Sequence, residues 1–566
     1  MNISDLLRRH STLIVLILLI LTFIPWLGLS LFNTKGEPRE AIVAVSMLQS
    51  GNWILPESFG GDIPYKPPFL AWCIAVVSLV TGSVSEYTSR LPSAIAVIAM
   101  GVATYKFFKR YSGSRRRGGM TALILASCIE VWRAGMACRV DMVLTACMVG
   151  AMYSLFTYRH RGSRGLPWLA ILLMTAGMLT KGPVAILLPC LCLGVYGLLR
   201  GDKFFPLFGR MVASGILALI IPALWYVAAW HIGGQEFLDL AWEENFGRFT
   251  GTMSYESHVN PWWYNLVTLV AGWLPYTLLA LLALFVARWK VLAHTSWIGD
   301  SWTRMRRMHP ATLYATVCAM VIFIFYCIPS SKRSVYLLPM YPFMAYMLTI
   351  LVLWMANGSL LARRLLKSYC CTIALIAVIV PGMFVYAFSA GAMPFAPQPL
   401  AGILAGVPAG FLSWVLLLIC LACGLQTLYL LLCRKPLFCF NAAVATTLVM
   451  LWFTAGAVLP AVLGAKSDAP VAEAVERAVP PATPVYSWVG TDMLRYYAIN
   501  FYLHDRLRVL DTSSLPASGY LLIGETDLET IRPQLTDQGF ETTTLLDSHH
   551  RSCDTRQTVL LLHFSK

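Results

Sequence analysis

The sequence predicts a polytopic α-helical membrane protein with a C-terminal extracytoplasmic α/β domain. Hydrophobic residues make up 58% of the 566 residues and charged residues only 13%, about half the charged share of a typical soluble domain. Apolar stretches of about 20 residues, the length that crosses a bilayer as a helix, recur through residues 1–464. After residue 464 they give way to short alternating strand and helix patterns.

About thirteen segments are long and apolar enough to be transmembrane helices. The first has an apolar core too long for a cleaved signal peptide and is predicted to remain as a span. A further apolar helix at 69–82 is short and follows Lys-Pro-Pro, so we place it at the interface. The predicted spans are 11–32, 90–108, 119–136, 141–158, 166–180, 183–199, 211–231, 264–287, 311–328, 335–356, 368–389, 402–432 and 439–463.

The positions of the basic residues predict which side of the membrane each loop faces. A net charge of +15 would suggest nucleic acid as a partner of a soluble protein, but here Lys and Arg concentrate in alternate loops, as in Lys106–Arg117. Such loops are cytoplasmic by the positive-inside tendency. The N-terminus is then cytoplasmic, and the first outer loop, 33–89, lies on the same face as the C-terminal domain. We expect membrane lipids around the chain and no nucleic acid.

Residues 465–566 are predicted to form the α/β domain. The predicted helices are 468–479, 492–503 and 527–535, each opening on an aspartate that could cap it. The predicted strands are 485–488, 507–510, 520–523, 542–546 and 559–563. No catalytic constellation stands out there.

Ionisable residues gather on the predicted outer face, from loops far apart in the sequence. Such residues at span ends are costly in a membrane and are frequently functional. Cations suit a phosphate or diphosphate, and a carboxylate suits removal of a proton from a hydroxyl. The acids predicted to be catalytic are Glu37 and Asp141. The residues predicted to bind the donor phosphate or substrate are Arg39, Lys66, Arg139, Lys181, Arg248, Lys332, Arg333 and Tyr336.

Several of these residues also have a purely structural interpretation. Asp141 opens a helix, where the macrodipole favours an acid, and Glu37 could cap an amphipathic interfacial helix at 38–49. Lys181 and the Lys332–Arg333 pair could reach lipid headgroups. Their shared membrane face favours transfer from a phosphate-activated lipid donor.

Short fragments in a fixed order connect the chain to a known family. They are Gly-Glu-Pro-Arg-Glu (36–40), Pro-Tyr-Lys-Pro-Pro (64–68), Val-Asp (140–141), Leu-Thr-Lys-Gly-Pro (179–183), Glu-Glu-Asn-Phe-Gly-Arg-Phe (243–249) and Ser-Lys-Arg-Ser-Val-Tyr (331–336). With these fragments the chain resembles the lipid A aminoarabinose transferases and their relatives among the protein O-mannosyltransferases. These are membrane glycosyltransferases of the C fold.

The resemblance implies a transmembrane glycosyltransferase domain, 1–464, with a catalytic first outer loop, and a periplasmic α/β domain, 465–566. It also implies inverting transfer of a sugar from a polyprenyl (undecaprenyl) phosphate carrier to lipid A or a related envelope glycolipid, at the periplasmic face of a bacterial inner membrane. An alternative acceptor is a protein hydroxyl. A transporter or flippase, with charges that bind its substrate, is a third hypothesis.

The chain departs from the family pattern at the site. The family's first loop usually reads Asp-Glu-x-Arg-Tyr, and its aspartate position is Gly36 here. The base is then Glu37 or Asp141, which matches the family's second acid; a lipid A phosphate would need little help from a base, whereas a hydroxyl would need one. Lys66 matches a lysine expected to meet the donor phosphate. The aminoarabinose enzymes have a Glu and a His at the positions of Tyr65 and Asn245, so we predict no metal and no other cofactor.

Overall fold

A computed structural model describes residues 10–64, 66–247, 259–286, 305–433, 435–481, 483–491 and 494–566. Helices dominate up to residue 464, and a small sheet follows. The helices are α1 Ser11–Phe23, α2 Pro38–Ser50, α3 Phe69–Thr81, α4 Glu86–Ser112, α5 Arg115–Ala126, α6 Ile129–Gly135, α7 Val140–His160, α8 Trp168–Lys181, α9 Val184–Leu199, α10 Phe204–Trp242, α11 Tyr264–Gly272, α12 Tyr276–Leu284, α13 Pro310–Cys327, α14 Tyr341–Asn357, α15 Leu360–Ala390, α16 Leu400–Ala405, α17 Phe411–Cys433, α18 Pro436–Phe453, α19 Leu459–Gly464, α20 Ala469–Ala478, α21 Tyr497–Tyr502 and α22 Glu525–Asp537. Short 3-10 segments are Ile24–Trp26, Ser334–Met340 and Val407–Ala409, and π-helical turns are Glu243–Gly247 and Thr454–Val458.

The chain is a multi-pass membrane protein. Within the described ranges, eight helical segments are long and apolar enough to cross a bilayer, and α11 with α12, bent by 108°, would make a ninth. The other predicted spans correspond to the shorter helices α1, α5 with α6, α8 and α9. The count of thirteen therefore stays a prediction.

The first outer loop contains two short helices. Helix α3 has 13 residues and reaches only about 20 Å, too little to cross the hydrocarbon. Helix α2 begins at Pro38 and ends before Gly51, whose φ of 70° is the left-handed conformation that glycine favours. The apolar face of α2 is buried against α3 and Phe501, so this face packs on protein, which does not favour the alternative of an interfacial helix.

The C-terminal part contains a five-stranded sheet. Its strands are β1 Val485–Trp488, β2 Leu507–Val509, β3 Ser518–Gly524, β4 Glu541–Arg551 and β5 Thr558–Ser565, in the order β2-β1-β3-β5-β4. Strand β1 pairs in parallel with β2 and β3, whereas β5 runs antiparallel to β3 and β4. Every strand predicted from the sequence overlaps one of these.

Of the three aspartates predicted to cap helices, the two that the structure describes do not act as caps. Asp468 precedes α20, but its side chain does not cap that helix. Its carboxylate instead accepts hydrogen bonds from Ser552 Oγ at 2.8 Å and from the Cys553 N–H at 3.0 Å. Asp492 lies outside the described residues, and Asp527 lies inside the first turn of α22.

The C-terminal part holds the first outer loop in place. Phe59 is 1% exposed and packs among the side chains under the sheet. Its N–H donates to Asp505 Oδ1 at 2.9 Å, and its carbonyl accepts from the Val509 N–H at 3.2 Å. The other oxygen of Asp505 accepts from Ser46 of α2 at 2.8 Å. The loop and the sheet are therefore one packed unit.

Candidate active site

Glu37 is buried in an ion pair at the start of α2. Arg90 of α4 donates to its two carboxylate oxygens, from Nε at 2.8 Å and from Nη2 at 3.1 Å. The Cys138 N–H donates to Oε1 at 2.9 Å. Burial raises the pKa of a carboxyl group, but the charge of Arg90 and these hydrogen bonds outweigh it and hold the pKa of Glu37 below its ordinary value. Glu37 is at the N-cap position without capping the helix.

Asp141 and Lys181 form a second ion pair. Lys181 Nζ, at the end of α8, lies 2.5 Å from Asp141 Oδ1, in the first turn of α7. The same ammonium lies 4.4 Å from the centre of the Tyr336 ring, within the range of a cation–π interaction. Three residues predicted from separate loops are therefore in contact.

Glu40 and Lys66 form a third pair within the first outer loop. Arg39 also approaches Glu40, with Nη2 3.7 Å from Oε1. Burial, with the charges of Arg39 and Lys181, lowers the pKa of Lys66 to about 8 although Glu40 acts to raise it. Lys66 is thus a buried cation with one acid, Glu40, and two further cations near it, and an anionic ligand would favour its charged form.

Arg139 occupies the space beside Gly36. A Cβ at position 36 would overlap the Arg139 guanidinium. Burial and the neighbouring charge of Arg333 lower the pKa of Arg139 from its ordinary value. Arg333 also interacts electrostatically with Asp141. Positive charge therefore fills the position where the family pattern has an aspartate.

The ammonium of Lys332 is bound by loop carbonyls rather than by the acids of this cluster. Lys332 is 4% exposed, and its ammonium donates to the carbonyls of Pro329 at 2.6 Å and Asn260 at 3.1 Å. Its N–H groups thus bind the loop backbone, and the binding role of Lys332 stays a prediction. Arg248 lies outside the described residues.

Asn245 offers only an amide where the aminoarabinose enzymes are expected to have an imidazole. Its amide nitrogen donates to Ala241 O at 2.8 Å and to Tyr226 Oη at 3.1 Å. An amide in place of an imidazole is a poor partner for a transition-metal ion, and Tyr65 lies outside the described residues. The residues at these positions do not fit a metal site of the kind that the family resemblance implies.

Residues of the charged cluster line two cavities. The first, the polar cavity, has a volume of about 270 Å³ and lies between the first outer loop and the C-terminal part; it is lined among others by Arg39, Glu40, Lys66, Trp225, Arg495 and Tyr497. The second, the apolar cavity, has a volume of about 300 Å³ and is lined mainly by apolar residues such as Leu144, Val184, Leu187 and Phe325, with Asp141, Lys181 and Tyr336. Lys66 of the polar cavity interacts electrostatically with Lys181 of the apolar one.

Sequence reasoning missed three residues of the site. Arg90 carries a signal that could have found it, since it is an arginine near the start of an apolar span. Arg495, paired at 2.8 Å with Asp62 of the first outer loop, and Tyr497 carry no local signal. They come from the C-terminal part, in which the sequence shows no constellation.

Comparisons with known proteins support the enzyme class. The family model for dolichyl-phosphate-mannose-protein mannosyltransferase matches residues 65–226. An uncharacterized protein of Aquifex aeolicus is 26% identical over 392 residues, or 68% of this chain and 72% of that protein. The undecaprenyl phosphate-alpha-4-amino-4-deoxy-L-arabinose arabinosyl transferase 2 of Proteus mirabilis is 25% identical over 342 residues, or 58% of this chain and 57% of that protein. The match therefore spans less than two thirds of the Proteus enzyme.

The fold also has a solved counterpart. The crystal structure of ArnT from Cupriavidus metallidurans bound to undecaprenyl phosphate superposes with a TM-score of 0.68 and 19% sequence identity, over 98% of both chains. Together these findings confirm the predicted enzyme class: the chain is a glycosyltransferase of the C fold, similar to the lipid A aminoarabinose transferases.

Proposed function

We propose that this glycosyltransferase takes a sugar from a polyprenyl (undecaprenyl) phosphate carrier and transfers it to lipid A or a related envelope glycolipid. The observation that carries the proposal is an apolar cavity with Lys181 in its wall, where Lys181 interacts electrostatically with Lys66 of the charged cluster. A polyprenyl phosphate has the same two parts, a hydrocarbon chain and an anionic head. The Proteus transferase is named for undecaprenyl phosphate, and the Cupriavidus protein was solved bound to it, which supports this donor class.

The donor phosphate is proposed to bind among Lys66, Lys181, Arg39 and Arg139. When the bond between the sugar C1 and the phosphate oxygen breaks, the phosphate gains a negative charge. Cations fixed beside it stabilise that charge as it develops. Attack on C1 from the side opposite the leaving phosphate inverts the configuration of the sugar. Tyr336 and Arg333 complete the surroundings of the phosphate.

The acceptor is proposed to be a phosphate oxygen. The three acids of the cluster, Glu37, Glu40 and Asp141, are each paired with a cation, and Arg139 lies beside Gly36. A hydroxyl acceptor needs a base to remove its proton, whereas a phosphate oxygen is already anionic. The pairing of these acids therefore favours an anionic acceptor such as a lipid A phosphate over a protein hydroxyl.

The proposed setting is a bacterial inner membrane. The distribution of Lys and Arg favours a cytoplasmic N-terminus and places loop 33–89 and residues 465–566 on the periplasmic side. Residues 1–464 would then form the transferase domain. Residues 465–566 would form a periplasmic domain that supplies one wall of the polar cavity.

The test is a transfer assay with the purified full chain and labelled undecaprenyl-phosphate sugars. We expect label in lipid A and no label in lipid A whose phosphates have been removed. Equal labelling of both would contradict a phosphate acceptor, and labelling of a Ser/Thr peptide alone would favour the protein alternative. Movement of the donor across vesicles without bond cleavage would favour a flippase.

A further inference from the structure

We propose that α9 and α10 bind an anionic phospholipid at the membrane face opposite the active site. The headgroup would occupy a cationic pocket, and one acyl chain would lie in an apolar groove that continues from it. We call these the basal pocket and the basal groove. They have volumes of about 370 Å³ and 480 Å³.

The length of α7 shows how far the basal pocket lies from the active site. Asp141 lies in the first turn of this helix, and Arg159, which lines the basal pocket, lies in its last turn. At 1.5 Å per residue the two are about 27 Å apart along the helix. The hydrocarbon core of a bilayer is about 30 Å thick. The basal pocket therefore lies at the other face of the membrane and is distinct from the donor site.

The basal pocket has a surplus of positive charge. Arg159 pairs with Asp202, from Nε and Nη2 to the two carboxylate oxygens at 2.6 Å each. Lys203 and Arg210 also line the pocket, are exposed, and make no ion pair with another residue of the described ranges. A phosphodiester carries one negative charge and accepts charge-assisted hydrogen bonds from such side chains. Basic pockets between transmembrane helices bind anionic headgroups in this way.

The basal groove fits a hydrocarbon chain. Leu207 and Met211 line both the pocket and the groove, so the two are continuous. The rest of the groove is lined by apolar side chains and glycines of α9 and α10, including Gly194 and Phe208. A Cβ at Gly194 would meet no atom within 4 Å, which shows that space is open there. A charged pocket leading into an apolar groove matches a phospholipid.

The first experiment measures lipid binding to the purified full chain by native mass spectrometry, with phosphatidylglycerol and phosphatidylcholine as probes. We expect retention of phosphatidylglycerol in preference to phosphatidylcholine. The double variant Lys203→Gln/Arg210→Gln should bind phosphatidylglycerol about 30-fold more weakly, since each cation near a membrane surface contributes about 1 kcal/mol. The control Arg363→Gln/Arg364→Gln removes two exposed cations of α15 and should bind normally. Equal retention of the two lipids, or equal loss in both double variants, would overturn the proposal.

The second experiment fills the groove. Gly194→Leu places a side chain in open space, so it should fold normally and lose phosphatidylglycerol. Gly382→Leu, at an exposed position of α15 that is equally open, is the control and should retain the lipid. If Gly194→Leu instead raises the KM for the polyprenyl donor and leaves phosphatidylglycerol binding unchanged, the groove belongs to the donor chain and the proposal is wrong.

Discussion

The guanidinium of Arg139 lies where a side chain on residue 36 would project, so Gly36 and Arg139 depend on each other. The family pattern has an aspartate at this position, next to the glutamate that is Glu37 here. Where the resemblance implies a negative charge, this chain has a glycine with the Arg139 guanidinium beside it. This arrangement suits the proposed acceptor, which brings its own negative charge.

Gly36→Asp tests this relationship. The new carboxylate must displace Arg139 or pair with it, and either outcome removes a cation from the proposed phosphate site. We expect kcat/KM for transfer to lipid A to fall by about 10- to 100-fold, the value of one charge-assisted contact of about 1.5–3 kcal/mol. Gly61→Asp adds the same charge to the same loop in open space and should leave kcat/KM near that of the native chain. A faster Gly36→Asp enzyme would show that transfer needs a base there.

Glu37 has a structural role that a test can separate from catalysis. Replacing it by glutamine removes the charged partner of Arg90, which is 3% exposed, and leaves the weaker electrostatic interaction with Glu86. Removing one partner of a buried ion pair costs about 3–5 kcal/mol of folding stability, so Glu37→Gln should lower the Tm markedly. Glu57→Gln, an exposed position in the same loop, should not. An unchanged Tm with abolished transfer would make Glu37 the catalytic base instead.

Helices, strands and a shared face for the ionisable residues could be predicted because their signals are local. Apolar length marks a span, and polar residues at span ends indicate a common surface, as Asp141 and Lys181 show. The partners of Glu37 could not be predicted in this way, because Arg90 is 53 residues away in the sequence. Pairing between distant polar groups is decided by packing, which no short pattern encodes. For the same reason the sequence did not identify Arg495 and Tyr497 as residues of the site.

Lys66 should make donor binding depend on pH. Its pKa of about 8 in the free protein means that the ammonium is present below that pH and is lost as the pH rises through it. We therefore expect the KM for the polyprenyl donor to be flat up to about pH 7.5 and to rise above about pH 8.5. Lys66→Arg keeps its charge at these pH values and should flatten the profile. The same rise in Lys66→Arg would assign the titration to another group.

Asp505 should control the first outer loop from the C-terminal part. Its carboxylate accepts hydrogen bonds from Ser46, the Phe59 N–H and Asn500 Nδ2. Ser46 can still donate to the Ile42 carbonyl, so Asp505→Ala leaves two donors, the Phe59 N–H and Asn500 Nδ2, unsatisfied in a buried place. Each orphaned donor costs about 1–3 kcal/mol, and the loop that carries Lys66 should loosen. We expect faster proteolysis within residues 51–64 and a raised donor KM, whereas Asp537→Ala, at an exposed position of α22, should change neither. Faster proteolysis with an unchanged KM would show that the sheet stabilises the loop without positioning Lys66.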